Sequence, residues 1–160
     1  MTPEQSVVAT AIHSWKLQID RADTFFSGLT DAQLQHEVAP GKNRLIYLYG
    51  HFIAVHDAMF PLLGFGPRTF PELDKPFLTE ADDRSADLPS SAELKRAWDH
   101  VHSRLLVEFE NLSAAEWVGK HTIVSAEDFA KNPLRNRLSV LFSRTVHVGY
   151  HLGQCVLAPK

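Results

Sequence analysis

Three histidines carry the most chemistry in this sequence. His147 and His151 stand four residues apart in the run His147-Val148-Gly149-Tyr150-His151-Leu152-Gly153-Gln154. On a helix that spacing puts both imidazoles on one face, about 40° apart and one turn from each other. His51 lies far upstream and interrupts an apolar helical run, where an unpaired polar group is costly. Two ligands from one helix and one from a neighbour can hold a divalent cation. Three neutral imidazoles suit zinc or nickel, with positions left open for water or a thiolate. An i,i+4 histidine pair is unspecific by itself, and the plain alternative is two part-exposed, hydrogen-bonded side chains. The HExxH protease pattern is excluded, because Val148 and not a glutamate follows the first histidine.

Other residues add less. Arg144 shares the angular sector of the histidine pair and can draw in an anionic group, although pairing with a structural carboxylate is the commoner role. His56 leaves the helix about 140° from His51, which places it in the core or behind the site, and Asp57 at about 240° is no co-ligand. His13, His36, His100, His102 and His121 lack partners at useful spacing and read as surface or capping residues. Cys155, one turn beyond His151, is expected to be buried and inert. Gly64-Phe65-Gly66 lacks the glycine fingerprint and preceding strand of a phosphate loop. No paired carboxylates and no Ser/His/Asp set stand out.

The elements that must position these residues are helical. Thr2, Pro3 and Gln5 form a helix start, and Val8, Ile12, Trp15, Ile19 and Phe26 recur at helical spacing over residues 3–27. Thr30 to Gln33 repeats the capping pattern. Asn43 is the expected cap of a second long helix reaching about Leu63. It is apolar on more than one face, with Gly50 allowing a close neighbour and Pro61 kinking or ending it. Gly64 to Pro89 is rich in proline and glycine and reads as a long crossover, either draped over the outside or covering a binding site. Ser90 and Glu93 start a third helix to about Asn111. Ser113 and Glu116 suggest a short further start, and Thr122-Ile123-Val124 an extended stretch. Asn132-Pro133 is the expected start of the last helix, with Leu134, Leu138, Leu141, Thr145, Val148, Leu152 and Val156 as its stripe. Four long helices without strand alternation predict an all-α four-helix bundle, with the long crossover between helices 2 and 3.

Bulk properties narrow the function classes. The chain has 160 residues, 44% of them hydrophobic, which suits one compact domain over 1–160. A formal net charge of −3 argues against nucleic acid as a partner. The apolar runs are broken by His51, His56, Asp57, Arg137 and Arg144, so no membrane span is expected. The N-terminus lacks a basic leader region and Cys155 is the only cysteine, which together predict a cytoplasmic protein.

With Tyr49-Gly50-His51 on one helix and the H-x3-H-x-G-Q ending from His147 to Gln154 on another, the sequence resembles the DinB/YfiT-like family of metalloenzymes. The order of elements matches over nearly the whole chain. The resemblance implies an up-down-down-up arrangement of the four helices. It also implies zinc or nickel bound by His51, His147 and His151, and frequent homodimers. Better-understood relatives are S-transferases or isomerases that use a small-molecule thiol: bacillithiol, mycothiol or glutathione. The expected function is therefore a thiol-dependent S-transferase acting on an electrophilic substrate. A metal-dependent hydrolase and a non-enzymatic helical stress or scaffold protein with a structural or vestigial metal site are the two alternatives.

Overall fold

The computed structural model describes residues 1–159 and is helical, with no strand among them. Four long helices, α1 (Pro3–Ser27), α3 (Leu45–Asp57), α5 (Ser91–Asn111) and α8 (Arg137–Cys155), share one core. Shorter pieces join them: α2 (Asp31–Leu34), α4 (Met59–Leu63), α6 (Ala114–Trp117) and α7 (Ala126–Lys131). Helix α1 packs along α8, α3 along α5, and α3 also meets α8. That last contact brings His51 to the histidine pair.

Local chemistry explains most element ends. The Thr2/Gln5, Thr30/Gln33, Ser90/Glu93 and Ser113/Glu116 capping boxes all form, satisfying amides that a helix start leaves bare. Val8, Ala11, Trp15, Ile19, Ala22 and Phe26 make the buried stripe of α1. Leu94, Ala97, Trp98, Val101, Leu105 and Phe109 do the same on α5. Helix α3 is buried nearly all round, as its composition predicts.

Three boundaries differ from expectation. Helix α3 starts from Arg44, not Asn43, and its cap makes no side-chain hydrogen bond. The Arg44 guanidinium is instead drawn to Asp82, 2.6 Å away. The second predicted helix is broken at Ala58 into α3 and α4. Pro61 has no N–H to give the Asp57 carbonyl and its ring crowds that group. Helix α8 starts at Arg137, where Asn136 Oδ1 accepts the Ser139 amide at 2.9 Å. Asn132-Pro133 is a turn: Asn132 Oδ1 accepts from Leu134 N at 3.1 Å, and Leu134 is exposed instead of lying in the stripe. Asn-Pro is as good a turn signal as a helix start.

The stretch Thr122-Ile123-Val124 is not extended. Thr122 donates its amide to Leu62 O (3.1 Å) and its hydroxyl to Pro61 O (2.9 Å), covering bare carbonyls at the end of α4. Gly64, at φ 86°, closes the same helix in the left-handed conformation that glycine tolerates, and Phe65 N reaches back to Phe60 O.

The crossover lies on α3 and is fastened at both ends. At the C-terminal end of α3, the fully buried Asp57 carboxylate accepts from Thr69 N (2.9 Å), Phe70 N (3.0 Å) and Arg68 Nε (3.0 Å). At the N-terminal end, Arg44 holds Asp82 and the Asp83 carbonyl, and Tyr47 donates to Glu80 O at 2.8 Å. Between these clamps run a 3₁₀ turn, Pro71–Leu73, and a π-helical turn, Lys75–Thr79.

Candidate metal centre

The π-helical turn sets the first imidazole. Phe77 is fully buried, and its ring sits where Gly50 has no side chain; a Cβ there would lie 2.4 Å from ring atoms. This close seat brings the Phe77 carbonyl to His51, which donates Nδ1–H to it at 2.8 Å. The proton is thereby fixed on Nδ1 and the Nε2 lone pair faces α8. Tyr47 lies parallel to the His51 ring at 6.3 Å.

Helix α8 supplies the other two. His147 Nε2 is 3.0 Å from His51 Nε2. His151 donates Nδ1–H to Gln154 Oε1 at 2.8 Å, one turn further along the same helix. The ring centroids are 5.0 Å apart for His51–His147, 5.2 Å for His51–His151 and 4.6 Å for His147–His151. Phe52 presents its ring to the edges of both α8 histidines. All three side chains are half-buried, and one ligand nitrogen from each lies within 4.8 Å of the others.

The donor set fits a divalent cation. Two imidazole nitrogens around tetrahedral zinc are roughly 3.3 Å apart. The 3.0 Å contact and the 4.8 Å outer limit bracket that value. Burial favours the unprotonated His51 and His147 rings that ligation requires. Burial holds His147 well down, to about 3, helped by the neighbouring histidines and Arg144. Burial likewise lowers His51, against the opposing pull of the Phe77 carbonyl.

Arg144 reaches this neighbourhood, as its position on α8 predicts. Its charge acts on both His51 and His147, and burial lowers its own proton affinity. Its Nε is buried and finds no hydrogen-bond partner among the described residues. Asp57 is committed to Arg68 and the crossover, so it is no co-ligand. His56 is a core residue: it donates Nδ1–H to Phe52 O (2.8 Å) and accepts from Trp15 Nε1 at 3.2 Å. Cys155 is fully buried, and burial pushes its thiol up to about 12, which makes it inert.

One histidine is misplaced by the sequence reading. His102 is neither surface nor capping; it is 6% exposed, donates Nδ1–H to Trp98 O at 2.9 Å, and packs at a tilt between Trp98 and His56. Its place on the apolar line of α5, next to Val101 and a turn from Trp98, was the available signal. The Phe77 carbonyl was not detectable, because a backbone group from a distant loop leaves no trace in residue type.

The class is thus a helical protein whose three imidazoles, from two helices, can hold a divalent cation. A family profile for the DinB superfamily matches residues 14–155, and the chain belongs to that superfamily. No curated protein matches the chain in a sequence search.

Proposed function

We propose that the chain is a divalent-metal-dependent enzyme, and within that class a transferase joining a small-molecule thiol to an electrophilic substrate. The observation that carries the proposal is the convergence of His51, His147 and His151, which no carboxylate or thiolate of the described residues joins. Structural zinc is normally enclosed by four protein ligands, whereas a catalytic cation keeps a position open. These three histidines would hold zinc or nickel. The chemistry such a cation supplies when bound is a lowered pKa for a thiol, or for water, giving a nucleophile near neutral pH.

The chain's own residues do the positioning. The Phe77 carbonyl and the Gln154 amide aim His51 and His151. Phe52 and Tyr47 keep water from one side of the rings. Arg144 would hold an anionic group of the thiol, such as a carboxylate, through its unpaired guanidinium edge. Cys155 takes no part. The proposal includes one domain over 1–160, built as an up-down-down-up four-helix bundle. It also includes a cytoplasmic location and a homodimer. Its support is the shared core of the four long helices and membership of the superfamily. No described helix is long and apolar enough to cross a membrane.

The test is consumption of an electrophile by zinc- or nickel-loaded protein with glutathione, bacillithiol or mycothiol in turn. Turnover with one of these thiols and none without is the expected result. Turnover that ignores the thiol would make the protein a hydrolase. No turnover, together with a fourth protein ligand seen by metal spectroscopy, would leave the non-enzymatic reading.

A further inference from the structure

One cavity opens directly beside the histidine cluster. It has a volume of about 320 Å³ and lies where α8 ends and α3 begins, with His151 and its partner Gln154 in its wall. Leu48, one turn before His51 on α3 and 1% exposed, forms its floor. Val38, Tyr150 and Leu157 add apolar sides, and the last two are 63% and 76% exposed. Lys42 and Asn43 reach it from the loop between α2 and α3.

The charge of this wall sets it apart. Four other surface cavities each carry at least one carboxylate, from Asp31 and Asp87, Glu72 and Glu93, Glu37, or Glu4. The cavity beside His151 has none, and it has a lysine. In a chain of net charge −3 that is a local reversal of sign. The nearest acidic side chain in the same loop, Glu37, is already occupied: it accepts the Gly41 amide (2.9 Å) and pairs with Arg84 (2.7 Å).

The polar groups of the wall are donors held ready. Lys42, Asn43 and Tyr150 make no side-chain hydrogen bond or ion pair among the described residues. Gln154 gives its oxygen to His151, which leaves its NH2 free to donate. The loop that presents Lys42 is a built turn. Lys42 N donates to Ala39 O (2.9 Å), Val38 N to Asn43 O (3.0 Å), and Glu37 bridges to Arg44. Gly41, at φ 71°, supplies the left-handed residue that the turn requires. His36 Nδ1 bonds Pro159 O at 2.9 Å, tying the chain's end to this loop.

We propose that this cavity is a recognition site for a small organic anion, a carboxylate on a short hydrocarbon body. Lys42 and the Asn43 and Gln154 amides bind the charge, while Leu48, Val38 and Leu157 cover the body. As a substrate subsite it rests on the metal-enzyme reading. It holds the non-reacting end of the molecule, with the reacting end directed past His151 to the histidine cluster. Arg144 lies on the other side of His147 along α8, so the cluster is flanked by a cation at each end.

Succinate and neutral butane-1,4-diol serve as probes. Each is titrated into the full chain, with and without added zinc, while backbone amide signals are followed by NMR. Succinate is expected to shift Lys42, Asn43, Gln154 and Leu157, and the diol to leave them. Lys42→Ala should weaken succinate about tenfold, the loss of one charge-assisted hydrogen bond, and Lys42→Arg should keep it. Succinate binding elsewhere, absent, or unchanged in Lys42→Ala overturns the proposal. Zinc binding without succinate binding removes this site and leaves the metal reading standing. Succinate binding without zinc binding removes the metal reading and leaves the anion site.

Discussion

His51 and His56 leave the same helix and enter two different histidine clusters. The outer one joins His51 to His147 and His151, all three half-buried. The inner one joins His56 to His102, ring centroids 4.8 Å apart, and packs against Trp15 and Trp98. The difference lies in what each ring does with its Nδ1 proton. His56 and His102 give it to the carbonyl four residues back on their own helices, Phe52 and Trp98. That bond folds the ring down against its helix. His51 gives it to a carbonyl from the crossover, and His151 to a side chain; His51 Nε2 meets His147, whereas His56 Nε2 is already taken by the Trp15 indole N–H. Holding Nδ1 by a group other than the carbonyl four residues back leaves the Nε2 of His51 and of His151 free to serve as a ligand atom.

The largest effect should come from deleting a ligand. His51→Ala is expected to lower bound zinc or nickel, measured by elemental analysis of untagged protein, from near one per chain to near none. His102→Phe should leave the metal content unchanged. Equal metal loss in both variants would erase the distinction between the clusters.

Gly50→Ala tests the crossover as the holder of His51. The new Cβ meets the buried Phe77 ring at 2.4 Å, so the ring and its carbonyl must move. Overpacking of this kind costs about 1–3 kcal/mol, against about 1 kcal/mol gained in helix propensity. Metal affinity, read by competition with a chelator, should fall about 10–100-fold, the usual consequence of losing an outer partner. An intact affinity would show that the Phe77 carbonyl does not orient His51.

Acid should act through the inner cluster as well as through His147, which burial also holds to about 3. Burial holds His102 down to about 3 and His56 well below its ordinary value. Both are neutral in the folded protein but take up a proton when unfolded below the ordinary histidine pKa of about 6.5. Stability is therefore full above that pH and declines as pH falls from about 6.5 towards the folded value. His102 alone should account for about 2 kcal/mol by pH 5. Urea midpoints measured from pH 7.5 to 5 would show the slope, and His102→Phe should flatten it. The smallest expected change is Gln154→Ala, which leaves the fold intact and weakens metal binding about tenfold in the same chelator competition.

Much of the helical frame was legible because caps and stripes are local. Thr2/Gln5 and Ser90/Glu93 mark the ends of α1 and α5 through contacts three residues apart. Where a boundary depended on distant groups, local signals misled. Arg44 displaced Asn43 as the start of α3 under the pull of Asp82, and Asn132-Pro133 turned while Asn136 capped. The site followed the same division.

The sequence by itself determined that His147 and His151 share a face, since helical periodicity requires it, and that a lone histidine in an apolar helix needs a partner. It favoured a buried Cys155, which the structure bears out. His51, His147 and His151 were grouped from the sequence and its resemblance, and the structure brings their nitrogens together; only the tertiary structure showed that His102 packs against His56. It alone brought the Phe77 carbonyl to His51, through a loop path fastened by Asp57, Arg68 and Arg44. It alone set Lys42 beside His151. Contacts between distant residues are fixed by the packing of whole helices, and no single stretch of sequence specifies that packing.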